Sequence, residues 1–197
     1  MGAFNPSGVV SKFPAGRFQF DADVIFKGHD WHKVEDVDFR GLVTLEDLRG
    51  GLFLNCTFNR VVSLGGLNTL HTMFLHCRMQ QGFSLWGGTS CAFEHCYFNA
   101  APLTALGHDG LVLNSCIFDG TETFVTCDGE TWLLGGYIDA TNLGTKPAVK
   151  SEANNRLVIV GARGMTASHV SMAGNRNYLT FIGGNTLPPG GSLSPIT

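Results

Sequence analysis

Two carboxylates hold the positions in this sequence that most resemble a catalytic pair. Asp119 lies three residues after Cys116 and Asp139 lies three residues after Gly136, so both share one phase of a repeated pattern. If neighbouring repeats stack as hydrogen-bonded strands, about 5 Å separates the two acids. Retaining glycosidases hold their two carboxyl groups at about this distance. Asp119 and Asp139 are therefore candidates for a catalytic pair or a Ca²⁺ site.

The same phase of the pattern also has a structural interpretation. The preceding repeats carry Asn59, Gln80 and Asn99 there. Asn and Asp are ordinary turn residues, because their side chains hydrogen-bond the nearby backbone. No cluster of further acids with Arg or Lys accompanies Asp119 and Asp139. We therefore favour a ladder of turn residues and predict that the chain is not an enzyme.

Histidine and cysteine recur together and could suggest zinc. His76 and His95 immediately precede Cys77 and Cys96. However, adjacent residues of a strand point to opposite sides, and the sequence has no C-x-x-C pair. The glycine-rich pieces match no phosphate-binding loop. We predict stacked turn histidines, with no metal and no cofactor.

These residues belong to a regular repeat. The segments GLFLNCTFN, HTMFLHCRM, CAFEHCYFN, LVLNSCIFD and TWLLGGYID each carry a small anchor residue, at positions 56, 77, 96, 116 and 136. Successive anchor positions differ by 21, 19, 20 and 20. A fixed period of this size is the signature of a solenoid.

The repeat favours strands over helices. Its segments are short and rich in Phe, Val, Leu, Thr and Cys, which suit strands, and one repeat is too short to hold two helices of about ten residues each. We predict an all-β chain in which residues of equal phase stack inside the solenoid. The predicted core stacks contain Cys56, Cys77, Cys96, Cys116, Phe53, Phe74, Phe93, Phe58, Phe98 and Phe118.

The pattern resembles the right-handed parallel β-helix family, which includes pectate-lyase-like folds, viral tailspikes and related virion proteins. The resemblance covers roughly positions 20–187. It implies a single-stranded right-handed β-helix with coils of about 20 residues. We expect an irregular N-terminal arm or cap at 1–20, the β-helix at 21–187 and a Pro/Gly-rich tail at 188–197. After position 138 the register slips, because the next anchor, position 162, comes later than the period predicts.

Composition and charge argue against nucleic-acid binding, a membrane span and secretion. The net charge is −3, charged residues make up 15%, and no Lys/Arg cluster exists, so we expect no nucleic-acid partner. No run of about 18 apolar residues predicts a membrane span. The N-terminal residues do not match a signal peptide, so we expect synthesis in a host cytoplasm, where the six cysteines stay reduced.

The resemblance to virion β-helices implies a structural role. We expect a phage capsid decoration (cement) protein, located in the virion, that forms a homotrimer and binds the major capsid protein through non-covalent contacts. Trp31, Trp86, Trp132 and Tyr178 could line such an interface or stack on sugars, and we favour the interface. The candidate partner contacts in the arm and tail are Phe4, Val9, Val10, Phe13, Phe18, Leu187 and Ile196.

Two other functions stay open. The first is a tailspike-like protein that binds or depolymerises a polysaccharide with Asp119 and Asp139. The second, which we rank lowest, is a glycan- or ice-binding solenoid, because Thr57, Thr104 and Thr126 do not align into one row.

Overall fold

The computed structural model shows a parallel β-solenoid of about eight turns with coils of about 20 residues. It describes residues 2–3, 18–28, 30–66, 69–153, 156–173 and 178–182, with the backbone alone at 2–3 and 30–32. The helices of this part of the chain are two short 3₁₀ segments, Ala140–Asn142 and Ala167–His169. The prediction of an all-β parallel solenoid is confirmed.

Three parallel sheets, which we name A, B and C, form the sides of the solenoid. Sheet A contains Gly2–Ala3, Val24–Lys27, Val43–Glu46, Val62–Gly65, Phe83–Trp86, Leu103–Leu106, Val125–Cys127, Val149–Ser151 and Val170–Met172. Sheet B contains Phe18–Phe20, Val37–Phe39, Thr57–Phe58, Arg78–Met79, Tyr97–Asn99, Ile117–Asp119 and Tyr137–Ile138. Sheet C contains Asp30–Glu35, Arg49–Leu54, Leu70–Leu75, Thr89–Glu94, Leu111–Asn114, Thr131–Leu134, Arg156–Val160 and Tyr178–Ile182.

The core consists of phenylalanine stacks that follow the strand spacing. Phe53 pairs in register with Phe74, and Phe74 with Phe93, with ring centroids 5.0 and 4.8 Å apart. On sheet B, the rings of Phe98 and Phe118 lie 4.4 Å apart. These side chains are almost completely buried. Because parallel strands are about 4.8 Å apart, a residue repeated once per coil meets its own equivalent inside the solenoid.

A row of left-handed backbone conformations turns the chain between sheets C and B. The residue before each anchor has a positive φ, with values of 53°, 54° and 52° at Asn55, His76 and His95. Asn and His tolerate this conformation better than most residues, and glycine adopts it at no steric cost. At the anchor Gly136, where φ is 82°, a Cβ would lie 2.2 Å from the Cys116 carbonyl oxygen. This close approach explains why glycine replaces cysteine there.

The register also resumes after the slip at position 138. Leu133 pairs with Ile159, and Ile159 pairs with Phe181, so two further coils follow the longer connection. At the other end, Phe18–Phe20 pairs with Val37–Phe39, and Gly2–Ala3 pairs with the strand at 24–25. Strands of the solenoid therefore occur within the range 1–20.

Candidate functional site

Asp119 ends one strand of sheet B and Asp139 directly follows the next strand, and each acid has a structural hydrogen-bond partner. The Tyr97 hydroxyl donates to Asp119 Oδ2 at 3.0 Å, and the Thr141 amide donates to Asp139 Oδ1 at 3.2 Å. Asp139 thereby caps the 3₁₀ segment that follows it. In the described part of the chain, neither carboxylate forms an ion pair.

Side chains at the same position of the repeat also form hydrogen bonds in earlier coils. The Asn99 side-chain amide donates to Gln80 Oε1 at 2.8 Å, and that of Asn59 donates to Asp38. These contacts run from coil to coil along the edge of sheet B. They fit the ladder of turn residues.

The histidines and cysteines of the repeat lie on opposite sides of the wall. The exposed rings of His76 and His95 stack with centroids 5.2 Å apart. The Cys77 thiol instead donates inward to the Phe53 carbonyl at 3.2 Å, and the Cys96 thiol to the Phe74 carbonyl at 3.3 Å. No group of three potential metal ligands occurs among the described residues.

All six cysteines belong to the described part of the chain, are buried, and form no disulfide. Cys91 and Cys127, which have no place in the anchor phase, point inward from sheets C and A. Burial raises the pKa of the Cys91 and Cys96 thiols well above the ordinary value. Because nucleophilic cysteines need a lowered pKa, these thiols serve as packing groups.

His108 is a buried polar residue that the sequence pattern did not identify. Its side chain lies in the turn before sheet C, with Nδ1 2.8 Å from the Gly87 carbonyl oxygen. Its Nε2 is buried and has no hydrogen-bond partner among the described residues. Burial lowers the pKa of His108, so the ring is neutral at pH 7.

The outer side of sheet C carries the largest set of apolar side chains that point away from the core. We call it the outer C face, and it has two rows along the solenoid axis. Met73 is 39% exposed and Ile182 is 58% exposed, so both lack full cover. The first row contains Lys33, Leu52, Met73, Ala92, Val112, Trp132, Val158 and Thr180. The second row contains Glu35, Leu54, Leu75, Glu94, Asn114, Leu134, Val160 and Ile182.

The sequence held a signal for this face. Strands of sheet C contain continuous apolar runs, such as LFL at 52–54, WLL at 132–134 and LVIV at 157–160. Parallel strands have continuous apolar sequences of this kind when both of their faces are buried. In contrast, the strands VTLE at 43–46 and VSLG at 62–65 of sheet A alternate between apolar and polar residues. The runs are therefore the sequence signal for apolar residues on both sides of sheet C.

Polar contacts interrupt and frame the outer C face. At its middle, the Asn114 side chain donates to Glu94 Oε1 at 3.3 Å. Nearer one end, the Trp132 indole donates to Glu130 Oε1 at 3.1 Å, and the Arg156 guanidinium lies 5.2 Å above the Trp132 ring. This cation–π contact fixes the orientation of the largest side chain on the face.

Sheets A and B present different outer surfaces. Sheet A carries a single row of hydroxyl groups, in which Thr104 pairs with Thr126, whereas Thr57 lies on sheet B. Sheet B carries a mixed stripe, in which the Arg78 guanidinium lies 5.0 Å above the Tyr97 ring, and Ile117 and Tyr137 follow, each 43% exposed. The hydroxyl row contains Thr44, Ser63, Ser84, Thr104 and Thr126.

The other interface candidates do not gather into one surface. Trp86 is 53% exposed on sheet A, whereas Trp132 and Tyr178 are on sheet C. The side chain of Trp31 lies outside the described residues. Phe18 is partly buried against the core. The remaining partner-contact candidates, Phe4, Val9, Val10, Phe13, Leu187 and Ile196, also lie outside the described residues.

Comparison with known proteins gives no match: no protein-family model, no curated protein and no solved structure is similar to the chain. Within the described residues, no helix has the length and apolar character needed to cross a membrane.

Proposed function

We propose that the chain is a non-catalytic structural protein that assembles with other protein subunits through the outer C face. The observation that carries this proposal is the double row of apolar side chains along sheet C, with Met73 and Ile182 partly or largely exposed. Extended apolar surfaces of this kind mark interaction sites, because covering them releases the free energy of hydrophobic burial, about 25 cal/mol per Å².

The more specific role that we propose is decoration of a phage capsid, with the major capsid protein as partner and the virion as location. Its support is the resemblance to virion β-helices together with a rigid, fully stacked core. Because each coil is hydrogen-bonded to both neighbours, the solenoid forms a stiff prism that suits an external shell protein. Residues of the arm and tail, outside the described part, remain the predicted shell contacts.

The arrangement of the two acids supports a non-catalytic role. Asp119 accepts a hydrogen bond from the Tyr97 hydroxyl, and Asp139 caps a 3₁₀ segment, so both carboxylates have structural functions. The buried thiols and the buried, neutral His108 offer no exposed nucleophile or base.

The experiment that tests the capsid role is a count of this protein in purified virions by quantitative mass spectrometry, relative to the major shell protein. Near-stoichiometric copies are expected for a decoration protein. A few dozen copies would instead indicate a tail device, and absence from the particle would overturn the proposal.

A second candidate function is glycan binding along sheet B. Tyr97, Ile117 and Tyr137 form an outward stripe beside the polar row that includes Asn99 and Asp119. Aromatic rings offer flat apolar surfaces for sugar rings, and amides and carboxylates hydrogen-bond hydroxyl groups.

Titration calorimetry with purified bacterial polysaccharides tests this candidate. Tyr137→Ala should abolish binding, whereas Ser84→Ala on sheet A should not affect it. Cleavage of the polysaccharide that disappears in Asp119→Asn would restore the depolymerase hypothesis.

A further inference from the structure

We propose that residues 183–197 of this chain, which we call the tail segment, cover the C-terminal end of the solenoid by continuing its repeat. In this arrangement Leu187 packs on the sheet B side of the core end and Leu193 packs on the sheet A side. The inference does not rest on the proposed function. It goes beyond that function, because Leu187, a candidate partner contact, is then buried within its own chain.

The inward side chains of the last described coil are incompletely buried. Leu157 and Ile159 of sheet C are completely buried, whereas Leu179 and Phe181, their partners in register one coil further along the axis, are only partly buried. On sheet A, Val170 is likewise only partly buried. A strand edge at the end of a sheet invites pairing with other chains, so folded β-proteins cover or block such edges. The C-terminal end of this core therefore calls for a further apolar layer.

The chain leaves its last described strand at the corner from which earlier coils enter sheet B. The Gly161 amide donates to the Ile182 carbonyl at 2.9 Å, as the Gly135 amide donates to the Val160 carbonyl at 2.7 Å. By sequence, Gly183 is therefore the next corner residue after Gly135 and Gly161, whose φ values are 66° and 70°. Glycine adopts this left-handed conformation at no steric cost, so the tail segment can turn towards sheet B as the earlier coils do.

The start of the tail segment repeats the sequence of the preceding coil. GGNTL at 183–187 matches GARGM at 161–165 with an offset of 22 residues, close to the length of one coil. Leu187 is then the equivalent of Met165, which is completely buried. Stacking by equal phase, which governs the rest of the core, therefore places Leu187 over Met165.

The remainder of the tail segment suits a cover over sheet A. Leu193 follows Val170 by 23 residues, close to the 21 residues between Val149 and Val170, which pair in register. The tail segment contains no charged residue, as an apolar core end requires. Pro188 and Pro189 have no N–H, so they leave an incomplete edge that stops further strand pairing.

Covalent continuity favours the tail segment over a second copy of the chain. The tail segment begins directly after Ile182, at the end that needs a cover. A short flexible connection of this kind gives a local concentration on the order of millimolar. A second copy reaches that concentration only in a millimolar solution of the protein. The chain's own tail segment is therefore the occupant that the end of the solenoid meets first.

Hydrogen exchange of the full chain, read by mass spectrometry, tests whether the end is covered. In sheet A the Val62 amide donates to the next coil at 3.1 Å, so the equivalent Val170 amide should donate to the tail segment. Leu187→Asp removes the buried anchor, and we expect exchange in the peptide 166–172 to accelerate about 10-fold or more. Ile196→Asp, beyond the proposed contacts, is the matched control and should keep the wild-type rate. Equal rates in the wild type and Leu187→Asp would overturn the inference.

Chemical cross-linking tests the register of the tail segment. Arg163 is exposed beside Tyr137 of sheet B, and the repeat places Asn185 next to it, about 5 Å away. The six native thiols are buried, so a short bifunctional thiol reagent acts on the introduced cysteines alone.

The reagent should bridge Arg163→Cys and Asn185→Cys within one chain about 10-fold faster than Ser171→Cys and Asn185→Cys. Ser171 is exposed on sheet A, so it is the matched position on another side of the same coil. Equal rates for the two pairs would mean that the tail segment has no fixed position. Bridges formed mainly between two chains would mean that a second copy covers the end, and either result would overturn the inference.

These outcomes separate the inference from the proposed function. If the tail segment protects the peptide 166–172 and the protein is absent from virions, the inference stands and the capsid role is wrong. If Leu187→Asp leaves hydrogen exchange unchanged and the protein is abundant in virions, the capsid role stands and the inference is wrong.

Discussion

Two rows of apolar side chains lie on opposite sides of the same strands of sheet C. Phe53, Phe74 and Phe93 point inward and are fully buried by the other two sheets. Leu52 and Met73, their immediate neighbours, point outward, and Met73 is 39% exposed. The two rows have the same spacing, because the same hydrogen bonds set both.

The difference between the rows lies in what buries them. The inner row is buried by folding, because the solenoid closes around it. In the outer row Val158 is also buried, but Met73 stays partly exposed in the single chain and only another molecule or segment could cover it fully. Substitutions in the inner row should therefore change the free energy of unfolding of a single chain. Substitutions in the outer row should change association and leave that free energy almost unchanged.

The largest expected effect is in the inner row. Phe93→Ala removes a fully buried ring that stacks at 4.8 Å on Phe74. We expect a loss of about 3–5 kcal/mol in the free energy of unfolding, measured by denaturant titration of the monomer. The outer-row variant Met73→Ala should cost less than about 1 kcal/mol in the same experiment, as is usual for surface substitutions. Equal losses in the two variants would remove the distinction between the rows.

Alkaline pH should destabilise the inner side through the buried thiols. The pKa values of the Cys91 and Cys96 thiols are raised from 9.0 by burial, so the folded state keeps protons that the unfolded state loses. The free energy of unfolding should therefore decrease above pH 9, by up to about 1.4 kcal/mol per thiol and pH unit. Cys91→Ala should reduce this slope, and a slope that does not change would contradict the expectation.

Mild acid should produce a smaller effect through His108. Burial lowers its pKa from 6.5, so below that pH the unfolded state binds a proton that the folded state does not. The free energy of unfolding should therefore fall as the pH decreases below 6.5 towards the lowered pKa. Thermal unfolding of His108→Gln should lack this decrease, whereas the exposed-residue variant His95→Gln should keep it.

The smallest expected effect concerns the contact between Arg156 and Trp132 on the outer row. Arg156→Gln removes the cation–π contact with Trp132, which contributes about 0.5–1 kcal/mol at exposed sites. We expect the free energy of unfolding of this variant to lie within that amount of the wild-type value. Association through the outer C face, measured by sedimentation, should weaken. A strongly destabilised monomer would mean that Trp132 contributes to folding rather than to assembly.

The inner row could be predicted from the sequence because its period is strict. Phe53, Phe74, Phe93 and the anchors Cys56 and Cys77 recur at one phase, and parallel stacking converts equal phase into contact. The coil that follows the insertion was also predictable, since Ile159 resumes the pattern beyond the longer connection and pairs with Leu133.

The outer row and His108 were harder to predict for physical reasons. Apolar residues such as Leu52 and Leu54 flank a core phenylalanine, and a short apolar run does not itself show which residues point outward. The burial of His108 depends on how a turn lies over the coil below, near Gly87, which no pattern within one coil reveals. Sequence analysis alone likewise left the hydroxyl row of sheet A unrecognised, because serine and threonine occur along it in no regular order.

The measurement that tests the central claim most directly is hydroxyl-radical footprinting of the full-length protein at high concentration, read by mass spectrometry. Met73 on the outer C face is 39% exposed in the single chain, and Trp86 on sheet A is 53% exposed. If the outer C face is covered in solution, Met73 should be protected while Trp86 is oxidised, and dilution should remove the protection. Oxidation of Met73 at the same rate at all concentrations would contradict the claim that this face is an assembly surface.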